Sequence, residues 1–264
     1  MEYIALGCMS GTSLDGIDCS LVKSDGVSYV TDISNEFIPY SDGLQLKLRN
    51  VILKGYLDDI KVINQLNQEY RDSINNFIKK NNLEIDLIAM HGQTVYHDQK
   101  TKISIQLFDK SIRFNTNSPV ICNFRKNDLL NGGNGAPIMP EFHRVLANQL
   151  DLKKVIFVNI GGVTNITVID NQKITAGDSS FGNAIVNDLI YEKTKERFDV
   201  DGSLSNNGQK IDVLFKRIIS DKYFLEKLPK SLDRNYFHKY IDHSTKDKNL
   251  NDLIKVFKKL DKDK

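Results

Sequence analysis

The sequence predicts an α/β protein built from two lobes. The chain has 264 residues, and it is long for one domain because domains usually hold about 100 to 200 residues. Segments typical of strands alternate along it with amphipathic segments typical of helices. A pattern of strand, glycine-rich turn and strand opens the chain and recurs after residue 151. We therefore expect a first lobe at 1–150 and a second at 151–264.

The composition excludes several classes of protein. With 40% hydrophobic and 27% charged residues, the chain resembles globular domains rather than collagen, disordered tails or coiled coils. Its net charge of +2 is too small to predict a nucleic-acid or membrane partner. It shows no apolar run of membrane-spanning length and no signal-peptide pattern, which predicts a cytoplasmic protein. Cys8, Cys19 and Cys122 fit neither a disulfide framework nor a metal-binding pair, and we expect small buried side chains there.

The first lobe opens with a predicted antiparallel meander. Residues 3–8, 17–23 and 27–33 have the composition and alternation of strands. Apolar residues then recur at three- and four-residue steps between Ile60 and Ile78, which predicts an amphipathic helix.

Two polar loops are predicted after this helix. A short buried strand at 87–90 leads into the polar segment 91–94, and such loops commonly carry functional residues. A strand at 119–122 leads into a segment at 123–140 rich in glycine and proline, for which we expect mostly irregular structure. Helix resumes near Glu141.

The second lobe begins with one predicted hairpin. Its strands, 155–160 and 163–169, flank two glycines. A helix at about 183–195 and an amphipathic segment from Leu250 follow. One hairpin is few strands for an α/β lobe, so we expect an incomplete second lobe.

The strongest local motif is the segment 7–18, GCMSGTSLDGID. Its glycines allow successive backbone N–H groups to form an anion-binding nest, and its hydroxyls add donors. Asp15 would repel phosphate but could hold Mg²⁺ against the phosphate oxygens. An ordinary hairpin turn fits the same spacing, since glycine and aspartate are common in turns.

This segment resembles the N-terminal signature of the anhydro-N-acetylmuramic acid kinases, which belong to the sugar kinase, Hsp70 and actin superfamily. The resemblance implies a two-lobed, actin-like ATPase fold of the ribonuclease H-like type with mixed sheets. Further segments resemble motifs of that family, in the family's order: HGQTVYH at 91–97, NFR at 123–125, GGNGAP at 132–137, NIGG at 159–162, NIT at 165–167, FD at 198–199, DG at 201–202 and KS at 230–231.

The resemblance implies an enzyme of peptidoglycan recycling. Such a phosphotransferase uses ATP and Mg²⁺ to phosphorylate 1,6-anhydro-N-acetylmuramic acid while water opens the anhydro ring, giving N-acetylmuramic acid 6-phosphate. The chemistry requires one carboxylate facing the sugar and cations facing the phosphates. The resemblance also implies a small amino sugar as partner and a homodimer.

Matching positions supply candidates for each role. Asp178, before a predicted helix, is the candidate catalytic base, with a helix N-cap as the alternative. The family usually has Thr-Gly-Pro-Gly after this aspartate, where this chain has SSFG at 179–182. The candidate sugar ligands are His91, Gln93, Arg125 and Asp128. The candidate phosphate contacts are Gly11, Thr12, Ser13, Leu14, Asp15, Gly16, Ile17 and Asp18, with Gly161 and Gly162 in the second lobe.

Two alternatives to an active kinase stay open. The chain ends in the helix that would precede the family's nucleoside-binding turn, which fits a truncated, catalytically inactive sugar-binding remnant. A superfamily ATPase acting on another sugar or acid is the second alternative, because a fold does not fix its substrate.

Overall fold

The protein combines sheets and helices in two compact units, Met1–Leu152 and Lys153–Lys264. This architecture comes from a computed structural model, and it bears out the predicted α/β class. The residues it describes are 1–11, 13–54, 59–98, 101–241 and 248–263.

The first unit is built on one mixed sheet. Its strands are β1 (Tyr3–Ser10), β2 (Gly16–Ser24), β3 (Val30–Pro39), β4 (Leu87–Asp98), β5 (Ile103–Leu107) and β6 (Val120–Ile121). The strand order is β3-β2-β1-β4-β5, with β6 paired to β4. Neighbours in the β1-β2-β3 meander are antiparallel, as predicted, whereas β4 runs parallel to β1.

The described residues of the first unit form four helices: α1 (Asp42–Lys54), α2 (Ile60–Asn81), α3 (Phe124–Leu130) and α4 (Pro140–Gln149). The predicted amphipathic helix is α2. The side chain of Asp59 caps it by accepting from the N–H groups of Lys61 and Val62. Its apolar stripe is buried in the core against the sheet.

The first unit departs from the expectations in one loop, one short helix and one helix that was not predicted. The polar segment 91–94 lies inside β4 rather than in a loop, because the side chains of His91 and Gln93 have the buried partners described below. The segment 123–140 is mostly irregular, as expected, but it also contains the short helix α3, because its glycines begin only after this helix has ended. The helix α1 was not predicted, because Gly43 and mixed polar residues weaken the helical pattern around buried Leu44 and Leu48.

The second unit contains an antiparallel sheet of three described strands. These are β7 (Lys154–Ile160), β8 (Val163–Asp170) and β9 (Lys173–Phe181), in the order β7-β8-β9. The predicted hairpin is β7-β8, and the expectation of a single hairpin was wrong because β9 adds a third strand. Small and polar residues in β9 hide its alternation.

The helices of the second unit are α5 (Asn183–Thr194), α6 (Ser203–Asn206), α7 (Asp212–Ile219) and α8 (Leu250–Asp263). Short 3₁₀ helices lie at Val200–Gly202, Lys222–Leu225 and Tyr236–Tyr240. Their core centres on Phe181, whose ring lies 4.9 Å from that of Phe237 and 5.4 Å from that of Phe257. Within the described ranges, no helix is long and apolar enough to cross a membrane.

Candidate functional site

The hairpin between β1 and β2 holds most of the predicted phosphate contacts. The N–H of Leu14 donates to the carbonyl of Gly11 at 3.3 Å and closes the turn. Leu14 has a φ of 61°, a left-handed conformation that costs a leucine about 1 to 2 kcal/mol. Its side chain is buried in the core of the first unit, and this burial offsets the cost. Thr12 lies outside the described residues.

Three of the predicted phosphate contacts lie in β2 and form the base of the hairpin. A Cβ at Gly16 would overlap the carbonyl oxygen of Ile38, so only glycine allows β2 and β3 to pack this closely. Ile17 is a core residue, and Asp18 pairs with Met9 of β1. These residues support the turn, whose open end carries Gly11, Ser13 and Asp15 among the other predicted contacts.

Two carboxylates interact beside the turn. The hydroxyl of Ser13 donates to Oδ1 of Asp15 at 2.5 Å, and Asp15 is exposed. Partial burial, together with the negative charge of Asp15, raises the pKa of Asp18. A nearby cation would stabilise this pair. The described residues include no group of three or more metal-binding side chains, so a metal at Asp15 would need water or phosphate oxygens as its other ligands.

A buried polar network beneath the turn contains Gln93, a predicted sugar ligand. Gln93 is fully buried, and its Nε2 donates to the carbonyl of Gly11 at 2.8 Å. The hydroxyls of Tyr40 and Tyr70 lie 2.9 and 3.0 Å from Oγ of Ser10, and Tyr40 is also 3.2 Å from Oε1 of Gln93. Burial raises the pKa of Tyr40 to about 12, so this phenol stays neutral at pH 7. Gln93 thus connects β4 to the hairpin turn.

His91 and Arg125, both predicted sugar ligands, are in direct contact. Nε of Arg125 donates to Nε2 of His91 at 2.8 Å. Because that ring nitrogen accepts, the ring proton lies on Nδ1, which donates to the carbonyl of Gly92 at 2.7 Å. Burial, followed by the positive charge of Arg125, lowers the pKa of His91 to about 4. His91 is therefore a neutral hydrogen-bond acceptor at physiological pH.

The buried neutral state of His91 predicts a pH-dependent stability. In the unfolded chain this residue takes up a proton below about pH 6.5, whereas in the folded chain it does so only near pH 4. The neutral side chain of His91 therefore makes its full contribution to the free energy of unfolding above about pH 6.5. This contribution, on the order of 3 kcal/mol, is lost as the pH falls towards 4. The measurement is urea unfolding of the wild type and of His91→Gln at several pH values. The prediction would be contradicted if the difference in free energy of unfolding between the wild type and the variant stayed constant between about pH 6.5 and about pH 4.

Asp128, the fourth predicted sugar ligand, shapes the glycine-rich loop that follows α3. Its Oδ2 accepts from the N–H of Gly135 at 2.7 Å, and the carbonyl of Gly135 accepts from Nη1 of Arg125 at 2.7 Å. Gly135 has a φ of +68° and a side chain there would press on Leu129. The structure thus joins Arg125 and Asp128 through one loop residue.

The diglycine turn of the second unit lies against the start of α5. The carbonyl of Gly161 accepts from the N–H of Asn183 at 2.8 Å, and that of Gly162 accepts from Gly182 and Ala184 at 3.1 Å each. The first donors of α5 are therefore satisfied by the turn. No described residue accepts a hydrogen bond from the N–H of Gly161 or Gly162.

Asp178 lies within β9, not in a turn. It pairs with Asn165 of β8, and its Oδ2 accepts from the N–H of Leu232 at 2.8 Å. Its backbone N–H donates to the carbonyl of Lys230 and its carbonyl accepts from the hydroxyl of Tyr223, both at 2.8 Å. The alternative role as N-cap is excluded, because Gly182 occupies that position. Asp178 is half-buried, and these three hydrogen bonds fix its position.

The segment after Asp178, which departs from the usual family pattern, is fixed by packing. Phe181 is buried among aromatic rings. The hydroxyl of Ser179 donates to the carbonyl of Thr164 at 3.3 Å. Packing against the core therefore fixes the backbone conformation of this segment, although it lacks the proline that the family usually has.

Comparison with known proteins finds relatives over nearly the whole chain. A family model described as anhydro-N-acetylmuramic acid kinase matches residues 2–259. The chain belongs to the anhydro-N-acetylmuramic acid kinase family. A relative of that name from Pelagibacter ubique is 36% identical over 83% of this chain and 62% of its own length. Relatives of the same name from Bradyrhizobium diazoefficiens and Gluconobacter oxydans are 34% and 35% identical, over 90% and 89% of this chain and 69% and 68% of their own lengths.

Membership of the anhydro-N-acetylmuramic acid kinase family confirms the resemblance and the sugar kinase and actin-like ATPase fold. A kinase family also implies ATP as the phosphoryl donor. The chain spans about two thirds of the length of these relatives, from 62% to 69%.

Several residues that hold the site in this anhydro-N-acetylmuramic acid kinase family member could not be predicted from the sequence. Ser10, Tyr40 and Tyr70 support the hairpin, and Tyr223 and Leu232 hold Asp178. Tyr70 reads as one apolar position of the α2 stripe, and only its hydroxyl distinguishes it from the other core residues. No local signal marks Leu232, because it acts through its backbone.

Proposed function

We propose that this chain has the activity for which its relatives are named and converts 1,6-anhydro-N-acetylmuramic acid to N-acetylmuramic acid 6-phosphate. The observation that carries the proposal is the family match over residues 2–259, which includes every candidate site segment. A role in peptidoglycan recycling, a cytoplasmic location and a homodimer belong to the same proposal.

The proposed reaction couples two bond changes. Water attacks the anomeric carbon, the bond from that carbon to O6 breaks, and O6 takes the γ-phosphoryl group of ATP, releasing ADP. The proton of the attacking water goes to a base, and we assign this role to Asp178. Its support is a half-buried carboxylate whose orientation is fixed by the N–H of Leu232.

The proposed phosphate contacts are backbone N–H groups in both units. We expect the first unit to supply the hairpin turn from Gly11 to Asp15, with Gly16, Ile17 and Asp18 as its support. We expect the second unit to supply the N–H groups of Gly161 and Gly162, for which the described chain provides no acceptor. Fixed N–H donors of this kind stabilise phosphoryl transfer because they need no reorganisation.

The proposed sugar contacts lie in the first unit. Arg125 is held by His91 and Gly135 in one orientation, and a guanidinium suits the lactyl carboxylate because it can donate two parallel hydrogen bonds. Asp128 shapes the adjoining loop, and Gln93 connects β4 to the hairpin turn. We propose that Arg125 and Asp128 bind the sugar and that the buried residues His91 and Gln93 orient this part of the site.

We propose Asp15 as a ligand, directly or through water, for the Mg²⁺ of the nucleotide. An exposed carboxylate interacting with a second one fits a hard cation. When bound, Mg²⁺ neutralises charge on the phosphate oxygens. We expect Asp15→Asn to weaken Mg²⁺-dependent ATP binding by at least about tenfold while leaving sugar binding unchanged. Calorimetric titration with ATP, with and without Mg²⁺, measures this effect, and Asp32→Asn on β3 is a matched control. Equal Mg²⁺ dependence in Asp15→Asn and the wild type would remove Asp15 from this role.

The test of the proposed function pairs two measurements on the same preparation. A coupled assay follows ADP release with anhydromuramic acid, ATP and Mg²⁺, and calorimetry follows binding of the same sugar. Sugar-dependent ADP release with formation of the 6-phosphate supports the kinase. Binding without turnover would identify an inactive sugar-binding protein, and turnover only with other sugars would identify a different substrate. Either result would reject the proposal.

A further inference from the structure

Three polar side chains form a row across the sheet of the second unit. Asn159 of β7 pairs with Asn165 of β8, and Asn165 pairs with Asp178 of β9. Residues paired in this way project from the same face of a sheet, and their Cβ atoms lie about 4.5 to 5.5 Å apart in neighbouring strands. The two asparagines come from the motifs NIGG at 159–162 and NIT at 165–167. The proposed base therefore has the side-chain amide of Asn165 as its neighbour.

A β-bulge interrupts the ladder beside this pair. Thr164 pairs with Ser180 and Asn165 with Asp178, so Ser179 is an extra residue on β9. The hydroxyl of Ser179 donates to the carbonyl of Thr164 at 3.3 Å and holds the bulge. Bulges are common next to active sites, because the extra residue changes the direction of a neighbouring side chain. The irregular point of this ladder coincides with the Asn165–Asp178 pair.

The amide of Asn165 is available to a bound molecule. The residue is half-buried, and none of the residues that the structure describes forms a hydrogen bond with its side chain. A polar group withdrawn from water costs free energy unless it finds a hydrogen-bond partner. Asp178, by contrast, is fixed by the N–H of Leu232, which donates to its Oδ2 at 2.8 Å. One side chain of the pair is thus held by the fold, and the other has a hydrogen-bonding group to offer.

We propose, on the basis of the kinase function proposed above, that Asn165 and Asp178 together bind the water that attacks the anomeric carbon. The water oxygen bonds to this carbon while the bond from the carbon to O6 breaks, and O6 takes the phosphoryl group. One hydrogen of the water passes to the carboxylate of Asp178 as a proton. The other hydrogen stays on the oxygen, in the new anomeric hydroxyl, and Oδ1 of Asn165 accepts a hydrogen bond from it.

A neutral amide suits this position better than a second carboxylate. The amide oxygen accepts a hydrogen bond but does not take the proton. A carboxylate at position 165 would compete for the proton, and its charge would make Asp178 harder to deprotonate. Holding the water in one orientation lowers the barrier of the chemical step. Asn165 is therefore expected to affect turnover rather than sugar affinity.

The first test replaces the amide of Asn165 with an apolar side chain of similar size. We expect Asn165→Leu to lower kcat for ADP release by about 10- to 100-fold. The calorimetric Kd for the sugar should stay the same. Thr175→Val is the matched control, because Thr175 pairs with Val168 on the opposite face of the same sheet, and this variant should keep wild-type turnover. Wild-type turnover in Asn165→Leu, or an equal loss of sugar binding, would overturn the proposal.

The second test uses Asn165→Asp, which keeps the shape of the side chain and guards against misfolding of the leucine variant. A second negative charge beside Asp178 makes loss of its proton less favourable. Because a base acts only when deprotonated, the acidic limb of kcat against pH should move to higher pH by on the order of one unit. Tyr223 and Lys230, the other titratable residues bonded to Asp178, are the same in both proteins. A limb that does not move would contradict the placement of Asn165 beside the base.

Turnover by the wild type distinguishes failure of this proposal from failure of the proposed function. Circular dichroism and thermal melting first check that the wild type and each variant are folded. No sugar-dependent ADP release by the folded wild type would reject the kinase function and, with it, a reacting water at Asn165. Release by the wild type that is unaltered in both Asn165 variants would reject only the role of Asn165.

Discussion

Replacing Asp178 with asparagine is expected to abolish sugar phosphorylation and leave sugar binding nearly unchanged. An amide cannot take the proton of the attacking water, and loss of a general base typically lowers turnover by about 10² to 10⁴-fold. Its carbonyl oxygen can still accept from the N–H of Leu232, as Oδ2 of Asp178 does now at 2.8 Å. The variant therefore keeps the contact that fixes this side chain, and the loss should fall on kcat rather than on affinity.

The measurement is ADP release beside calorimetric titration with the sugar. Asp170→Asn is the matched control, because Asp170 lies in the neighbouring strand β8 with an exposed carboxylate. That variant should keep wild-type turnover. Unchanged turnover in Asp178→Asn would remove this residue from the role of base. Loss of sugar binding together with turnover would assign it to ground-state binding instead.

The sequence could predict the elements that carry regular apolar periodicity, but it could not predict β9, the strand that contains Asp178. The β1-β2-β3 meander, α2 and the β7-β8 hairpin carry regular apolar periodicity, and each is present. The strand β9 carries no such pattern, because its buried positions include Gly177 and Ser180. Gly177 is required because a side chain there would press on the backbone of Lys230. Lys230 lies far from Gly177 in the sequence, so no local sequence pattern reveals this contact.

In the candidate site, too, the sequence indicated which residues matter but not which groups they contact. The family motifs identified His91, Gln93 and Arg125 as polar residues to examine. Gln93, however, is hydrogen-bonded to the carbonyl of Gly11, which lies 82 residues earlier in the sequence. Asp178 is hydrogen-bonded to the N–H of Leu232, which lies 54 residues later. Hydrogen bonds over such separations follow from the tertiary fold, so the supporting residues could be found only in the structure.

Replacing Asp221 with alanine is expected to cause the largest loss of stability in the second unit. Its carboxylate is buried and accepts from the hydroxyls of Tyr236 and Tyr240 at 3.0 and 2.6 Å, and from the N–H of Tyr223 at 2.8 Å. Nζ of Lys239 lies 2.6 Å away. Because Lys239 is partly exposed, the loss comes mainly from the tyrosine hydroxyls and the N–H that are left without an acceptor, and each such buried group typically costs about 1 to 3 kcal/mol. Urea unfolding followed by circular dichroism measures the change.

The control for Asp221→Ala is Asp170→Ala, which removes an exposed partner of Lys154 and should cost no more than about 1 kcal/mol. A second test uses pH. Burial raises the pKa of Asp221, but the hydrogen bonds from Lys239 and Tyr240 outweigh it and hold the pKa well below its ordinary value. A carboxylate with a lowered folded pKa stabilises the protein above its unfolded pKa, about 4, and loses this contribution as the pH falls below that value. The deficit of Asp221→Ala should therefore shrink between about pH 6 and about pH 3. A deficit that is constant over this interval would assign the loss to packing rather than to charge.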